Sequence, residues 1–284
     1  MNTNYNETDL AAASGESTYR SARALELNEV SINGDADARE VDGKLVRKGG
    51  YFRKRILAGR TKKDEKPEEV NLGAPIKVVF LKIRRRLVER TSKGEIVCST
   101  NEHNSKSNAV TLYVSATKEQ KRGIAEDLRK QYPRLRTVQV VYALLLDGKG
   151  EPELVRLTVK GASLGSEAKA EEVPTFYQYI SSFPDGEHMW EYVTELHPVI
   201  EEGAKTYFAI DFKRGKKLDE RTLALAKEKL MDVALNCRKV DEARAAKFVQ
   251  SAKVETASAE EREEEASGID YPPAYDDIAS SIPF

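Results

Sequence analysis

The chain has 284 residues, 33% charged and 40% hydrophobic, with 46 basic against 47 acidic side chains and a formal net charge of −1. No stretch approaches the roughly 20 apolar residues of a membrane helix, and no basic start followed by an apolar run marks a secretory signal. Two distant cysteines, Cys98 and Cys237, make no disulfide framework. These totals exclude a helical membrane protein and a disulfide-stapled secreted domain, and they predict a cytoplasmic chain with reduced thiols.

The small net charge hides three unlike segments. Residues 1–43 hold 9 acidic and 3 basic side chains, and residues 251–284 hold 9 acidic and 2 basic. Residues 44–250 hold 41 basic against 29 acidic, a net of +12. A basic body between acidic ends is the pattern of a polyanion-binding domain with solvated tails.

In chain order, residues 1–24 are polar and aperiodic and predict a disordered segment. "LELNEVSING", Leu25 to Gly34, predicts an irregular first strand ending in an Asn33-Gly34 turn. "KLVRKGGYFRKRILAGRTKK" holds 9 basic residues and no acid, with Tyr51 and Phe52 in its middle and Gly49-Gly50 giving the backbone room to bend. From Ile76 strand signals dominate. In "IKVVFLKIRRRLVER", alternation places Val79, Leu81, Ile83 and Leu87 on one face and Lys82, Arg84 and Arg86 on the other. "EIVCST" and "AVTLYVSA" read as further strands, and "TKEQKRGIAEDLRKQY" as a short helix stopped before Pro133.

"RTVQVVYALLL" and "ELVRLTVKG" flank Asp147-Gly148, a hairpin signal. Residues 174–197 predict two helical pieces broken at Pro184-Asp185-Gly186. "KTYFAIDFKRGKK" predicts a last strand and a basic turn, and "LDERTLALAKEKLMDVALNC" an amphipathic helix with Leu218, Leu223, Leu225 and Leu230 recurring near helical spacing. After residue 250 an acidic, aromatic-poor linker is expected to be disordered. The inventory of five to seven strands predicts an α+β fold: an OB-like antiparallel β-barrel core over residues 25–250 with added helices, between a disordered N-terminal segment and an acidic tail, 251–284.

Catalytic constellations are sparse. His103, His188 and His197 fall in no metal-ligand spacing, and no phosphate-binding glycine loop of the G-x-x-x-x-G-K-[ST] type occurs. "DGEH", Asp185 to His188, is the one stretch with nuclease-like acids, and it reads more simply as a turn opening a helix. The chain is therefore read as a non-enzyme without catalytic residues, metal or cofactor.

Single-stranded nucleic acid requires cations along a backbone track and flat rings for unpaired bases. Three segments offer them: Tyr51, Phe52, Arg53, Lys54 and Arg55; Lys82, Arg84 and Arg86; and Lys213, Arg214, Lys216 and Lys217. These lie on strands and turns, with no arginine-rich recognition helix, which favours a single strand over a duplex.

The last residues, "YDDIASSIPF", resemble the C-terminal tip of bacterial and phage single-stranded-DNA-binding proteins, in which an acidic tail ends in Ile-Pro-Phe. The resemblance implies a divergent, phage-encoded member acting in the host cytoplasm or nucleoid. It also implies a tip, Asp276, Asp277, Ile282, Pro283 and Phe284, that recruits replication, repair and recombination enzymes. The apolar anchor is Phe284, and the acids steer the encounter. On this reading the chain coats single-stranded DNA, with self-association as an option. A recombination mediator or strand-annealing protein, and a DNA-processing nuclease, are the alternatives.

Overall fold

Fifteen residues without glycine or proline and with five Val or Ile, Ile76–Arg90, form the longest described strand and the spine of the fold. The computed structural model describes residues 25–33, 39–41, 44–46, 49–57, 67–91, 95–104, 110–146, 150–164, 173–201 and 207–267; the side chains of 39–46, 201, 207 and 247–267 are excepted. Its strands are β1 (Glu29–Ile32), β2 (Arg39–Val41), β3 (Lys44–Val46), β4 (Phe52–Arg55), β5 (Glu69–Gly73), β6 (Ile76–Arg90), β7 (Ile96–Thr100), β8 (Val110–Val114), β9 (Gln120–Gly123), β10 (Arg136–Leu146), β11 (Glu153–Val159), β12 (Tyr192–Glu201) and β13 (Tyr207–Lys217). The helices are α1 (Ala125–Gln131), α2 (Phe176–Ser181) and α3 (Glu220–Ser267).

Eleven strands share one sheet, in the order β5-β4-β1-β11-β10-β6, after which the sheet forks. The start of β6 pairs with β12 (Val78 opposite Thr194), and its end pairs with β7 (Val88 opposite Ser99). One branch continues to β13, the other to β8 and β9. β1 runs parallel to β11; the other pairings are antiparallel. β2 and β3 pair apart from this sheet. Among the described residues β5, β9 and β13 each end a branch, so the sheet is unclosed. The α+β class is as expected; these pairings do not draw the OB-like barrel. Among the described residues there are thirteen strands where five to seven are predicted, because pieces as short as Arg39–Val41 are too brief to show a period.

A β-bulge sets the two faces of β6. Its register against β10 shifts between Tyr142 and Ala143, so that Phe80 faces Ala143, Lys82 faces Tyr142, and Leu81 is the extra residue. Before the bulge Val79 and Leu81 pack beneath α3, with Leu144, Ala226, Leu225 and Leu230. After it Ile83 joins the opposite core, beside Val141 and Phe80. The simple alternation that groups Val79, Leu81 and Ile83 therefore fails at one residue.

The main core lies on the side away from α3. Phe80, Phe176, Tyr179 and Phe212 meet with ring centroids 5.4–6.3 Å apart, and the buried Tyr179 hydroxyl is satisfied by Thr194 Oγ1 at 2.7 Å. Helix α2 starts with a capping box between Thr175 and Gln178, which satisfies its first amides. Helix α3 covers the other face with a seam of Ala226, Leu230, Val233, Cys237 and Val240 at three- and four-residue spacing. A smaller core of Leu87, Cys98, Val110, Leu112, Leu128 and Leu135 lies under α1. Both cysteines are free and buried.

Several expected elements change type. The second helical piece of 174–197 is a short 3-10 turn, Met189–Glu191, followed by β12, whose apolar side chains find partners on both β6 and β13. The basic "turn" of residues 213–217 is the end of β13 itself. Helix α3 runs past residue 250 to Ser267, through Ala, Glu and Lys with no glycine or proline to stop it. Residues from Ala245 form a unit separate from Met1–Arg244. The N-terminal segment 1–24 and the tip residues Asp276, Asp277, Ile282, Pro283 and Phe284 lie outside the described residues. No described helix is long and apolar enough to cross a membrane.

Gly50 has φ +85°, and a Cβ there would lie 2.8 Å from Phe208 Cε1. Gly50→Ala is expected to lower stability by about 1–3 kcal/mol through left-handed strain and overpacking, read from a urea melt; an unchanged midpoint would contradict this placement.

Candidate functional site

The first predicted basic segment is spent on the fold. Strand β4 sits between β1 and β5, so its cations meet acids from neighbouring strands. Arg53 pairs with Glu69 at 3.2 Å, Lys54 with Glu153 at 2.6 Å, and Arg55 with Glu69 at 3.2 Å and Glu29 at 3.8 Å. Phe52 is fully buried in the main core, so it is no stacking platform, and Tyr51 is half-buried. The cause is alternation: Phe52 points to the face that the main core covers, with Val30 and Phe80 in the same cluster.

The second segment keeps its shared face but loses its solvent. Beyond the bulge, Lys82 and Arg84 lie opposite Tyr142 and Val140, the residues that Val233 and Cys237 of α3 cover. Arg84 is 2% exposed and grips Asp241 of α3 with two 2.7 Å bonds. It also donates to Asn104 Oδ1 and Glu102 O, both at 3.0 Å. Burial pulls its pKa down, and Asp241 more than offsets that, leaving it above its ordinary value. The expectation that Arg84 contacts phosphate is corrected: it is an internal ion-pair partner. Arg86, half-buried, donates to Thr100 O at 3.1 Å and Ser99 Oγ at 2.8 Å. Burial lowers its pKa.

The third segment remains on the surface. Lys213, Arg214, Lys216 and Lys217 are all exposed on β13, which among the described residues pairs with β12 alone. Rings crowd beside them. Arg214 lies over Phe183 (5.6 Å) and Tyr192 (5.5 Å), and Lys217 lies over Tyr192 at 5.3 Å. A hydrogen bond with Tyr192 raises the Lys217 pKa. His188 and Trp190 stack at 4.1 Å, with His188 exposed and Trp190 half-buried. One carboxylate, Glu187, is shared by Arg214 (3.4 Å) and Lys217 (3.7 Å). Lys213 has Asp211 at 3.4 Å.

The strand and the ring-bearing loop are tied together. Gly186, at φ +86°, turns the chain after Pro184, and Glu187 N donates to Pro184 O at 3.0 Å. Leu218 N then donates to Glu191 O at 2.9 Å, and Tyr192 pairs with Lys217. "DGEH" is thus the turn that brings Glu187 to the cations and leads into the His188–Trp190 stack, with Trp190 packed against Val79, Leu81, Leu144 and Ala226. Sequence reasoning missed these rings, although "FPDGEHMWEY" packs four of them into ten residues. Such aromatic density around a Pro-Asp-Gly turn is the available signal.

The other histidines do different work. His103 is 1% exposed, bridges the backbone of Arg85, and has Nδ1 3.0 Å from Asn101 O; burial lowers its pKa. His197 lies 3.5 Å from Glu195. Among the described residues no three His, Cys, Asp or Glu side chains gather as a metal-holding group. Comparison of the chain with protein-family models, with curated proteins and with solved structures gave no match.

Proposed function

We propose that the chain is a single-stranded-DNA-binding protein that engages the strand at the exposed end of β13 and recruits partner proteins through residues 276–284. The observation that carries the reading is the exposed run Lys213, Arg214, Lys216 and Lys217, with Arg214 and Lys217 over the rings of Phe183 and Tyr192 and the His188–Trp190 stack on the loop that Glu187 ties to them. Cations follow a phosphate track, while the faces of the rings accept unpaired bases of any sequence. The net charge of +12 over residues 44–250 supplies the long-range attraction.

An OB-like core would serve this function through its strand surface. What the proposal takes from it is a strand surface bearing cations and rings, which an unclosed sheet also offers. The resemblance of "YDDIASSIPF" to the tips of bacterial and phage single-stranded-DNA-binding proteins supports the second half of the proposal. Ile282 and Phe284 provide apolar anchors, and Asp276 and Asp277 provide steering charge.

The test is an anisotropy titration with single-stranded and duplex oligonucleotides, using the full chain and a form lacking Ile282 to Phe284. Single strands are expected to bind tighter than duplex. The truncated form is expected to bind them as well as the full chain while losing capture of purified host helicase or polymerase subunits. Tighter duplex binding would sink the first claim, and full retention of those partners the second.

A further inference from the structure

The face of β6 turned toward α3 holds a cavity of about 200 Å³ whose walls include Arg84, Arg86, Arg244, Glu102 and Tyr142. We propose that this cavity binds a phosphate monoester dianion between Arg86 and Arg244, a site separate from the β13 surface.

The argument is one of uncompensated charge. Three guanidinium groups and one carboxylate line the cavity, and behind them stand Arg156 and Asp241. Each carboxylate is already engaged. Glu102 accepts from the Tyr142 hydroxyl at 2.7 Å and from Arg156 at 3.0 Å, and Asp241 is gripped twice by Arg84 at 2.7 Å. Arg86 is held by the neutral oxygens of Thr100 and Ser99. Arg244 donates to the neutral Glu102 O at 2.9 Å and lies 3.7 Å from Asp241. Among the described residues, Arg84, Arg86, Arg244 and Arg156 outnumber Glu102 and Asp241. With Glu29 and Arg90 acting on Arg86 from farther off, the balance stays positive in a partly buried place, where unpaired charge is costly.

Burial lowers the pKa of both Arg86 and Arg244, the same tension seen from the proton's side. A doubly charged, multiply accepting anion relieves it, and guanidinium groups already fixed by hydrogen bonds meet it with little further ordering. The cavity is smaller than the roughly 300–1,000 Å³ of a drug-sized pocket. It therefore takes the phosphate and not a whole nucleotide. The source is either a small free phosphate or the phosphorylated end of a strand.

The experiment is thermal unfolding of the full chain in sodium phosphate against sodium chloride at equal ionic strength, with Arg86→Gln and Arg244→Gln beside it. At tenfold over its Kd, phosphate is expected to raise the melting temperature by about 3–6 °C, and both variants are expected to lose that rise. No advantage over chloride, or an equal rise in both variants, overturns the proposal. If Arg86→Gln does not fold, Arg244→Gln and a 31P line-broadening titration of the unaltered chain decide it by the same criterion.

Competition against bound phosphate then separates the sources. Displacement by 5′-phosphorylated but not 5′-hydroxyl oligothymidylate assigns a strand end. Displacement by a nucleoside monophosphate alone assigns a free small phosphate. Equal displacement by both oligonucleotides overturns the monoester assignment. Loss of phosphate binding with single-strand binding intact removes this inference and leaves the proposed function standing.

Discussion

Arg84→Ala is expected to destabilise the protein by about 3 kcal/mol, the lower end for a broken buried ion pair. Arg84 is 2% exposed and Asp241 25% exposed, so the carboxylate left behind regains some water but not all. The variant also takes the Arg84 donor from Asn104 Oδ1 and leaves Glu102 O with one donor fewer, Arg244 still bonding it. In a chain of this size the loss corresponds to a fall of about 6–12 °C in Tm. The double replacement Arg84→Met with Asp241→Leu should recover most of it, since an apolar pair carries no desolvation cost. A variant that melts like the unaltered chain and binds DNA less tightly would make Arg84 a contact residue after all.

That prediction reverses what the sequence suggests at this position, for an identifiable reason. Alternation along β6 correctly places Lys82, Arg84 and Arg86 on one face, but it carries no information on what covers that face. The cover is Asp241, 157 residues away. A one-residue bulge at Leu81 likewise leaves no mark in the pattern Val79, Leu81, Ile83, yet it moves Ile83 to the other side of the sheet.

Where signals are local they are legible. Asp147-Gly148 lies between β10 and β11, which pair antiparallel down to Leu145 opposite Glu153. Of the leucines expected to line this helix, Leu225 and Leu230 pack toward the sheet, as does Leu218 just before it. Of the three basic segments only the one on β13 stays exposed, because acids on neighbouring strands engage the cations of β4 and α3 covers Arg84 on β6.

The second large effect is expected at that strand. Arg214, Lys216 and Lys217 changed together to Ala should weaken single-strand binding about 100-fold at 0.1 M salt. Each phosphate released contributes about 0.7 to the log–log salt slope, so three contribute about 2 between 0.1 and 1 M. All three side chains are exposed, so the fold should survive. Removing the cation–ring contacts of Arg214 and Lys217 is worth about 0.5–1 kcal/mol each at exposed sites. An unchanged melting curve is not required; a retained far-UV circular dichroism spectrum is. A salt slope within 0.5 of the unaltered protein, measured by anisotropy over that range, would place the phosphate track elsewhere.

Trp190 is the single tryptophan of the chain and sits in the proposed interface, stacked on His188. Its fluorescence is therefore the chain's one tryptophan signal, from a ring half-buried against Val79, Leu81, Leu144 and Ala226 at the edge of this site. Titration with oligothymidylate should quench or shift the emission saturably, with the same midpoint as anisotropy of the labelled strand, and Arg214, Lys216 and Lys217 changed to Ala should move both midpoints together. Tight binding by anisotropy with Trp190 emission unchanged would contradict the account, because the strand would then pass outside the β13 surface.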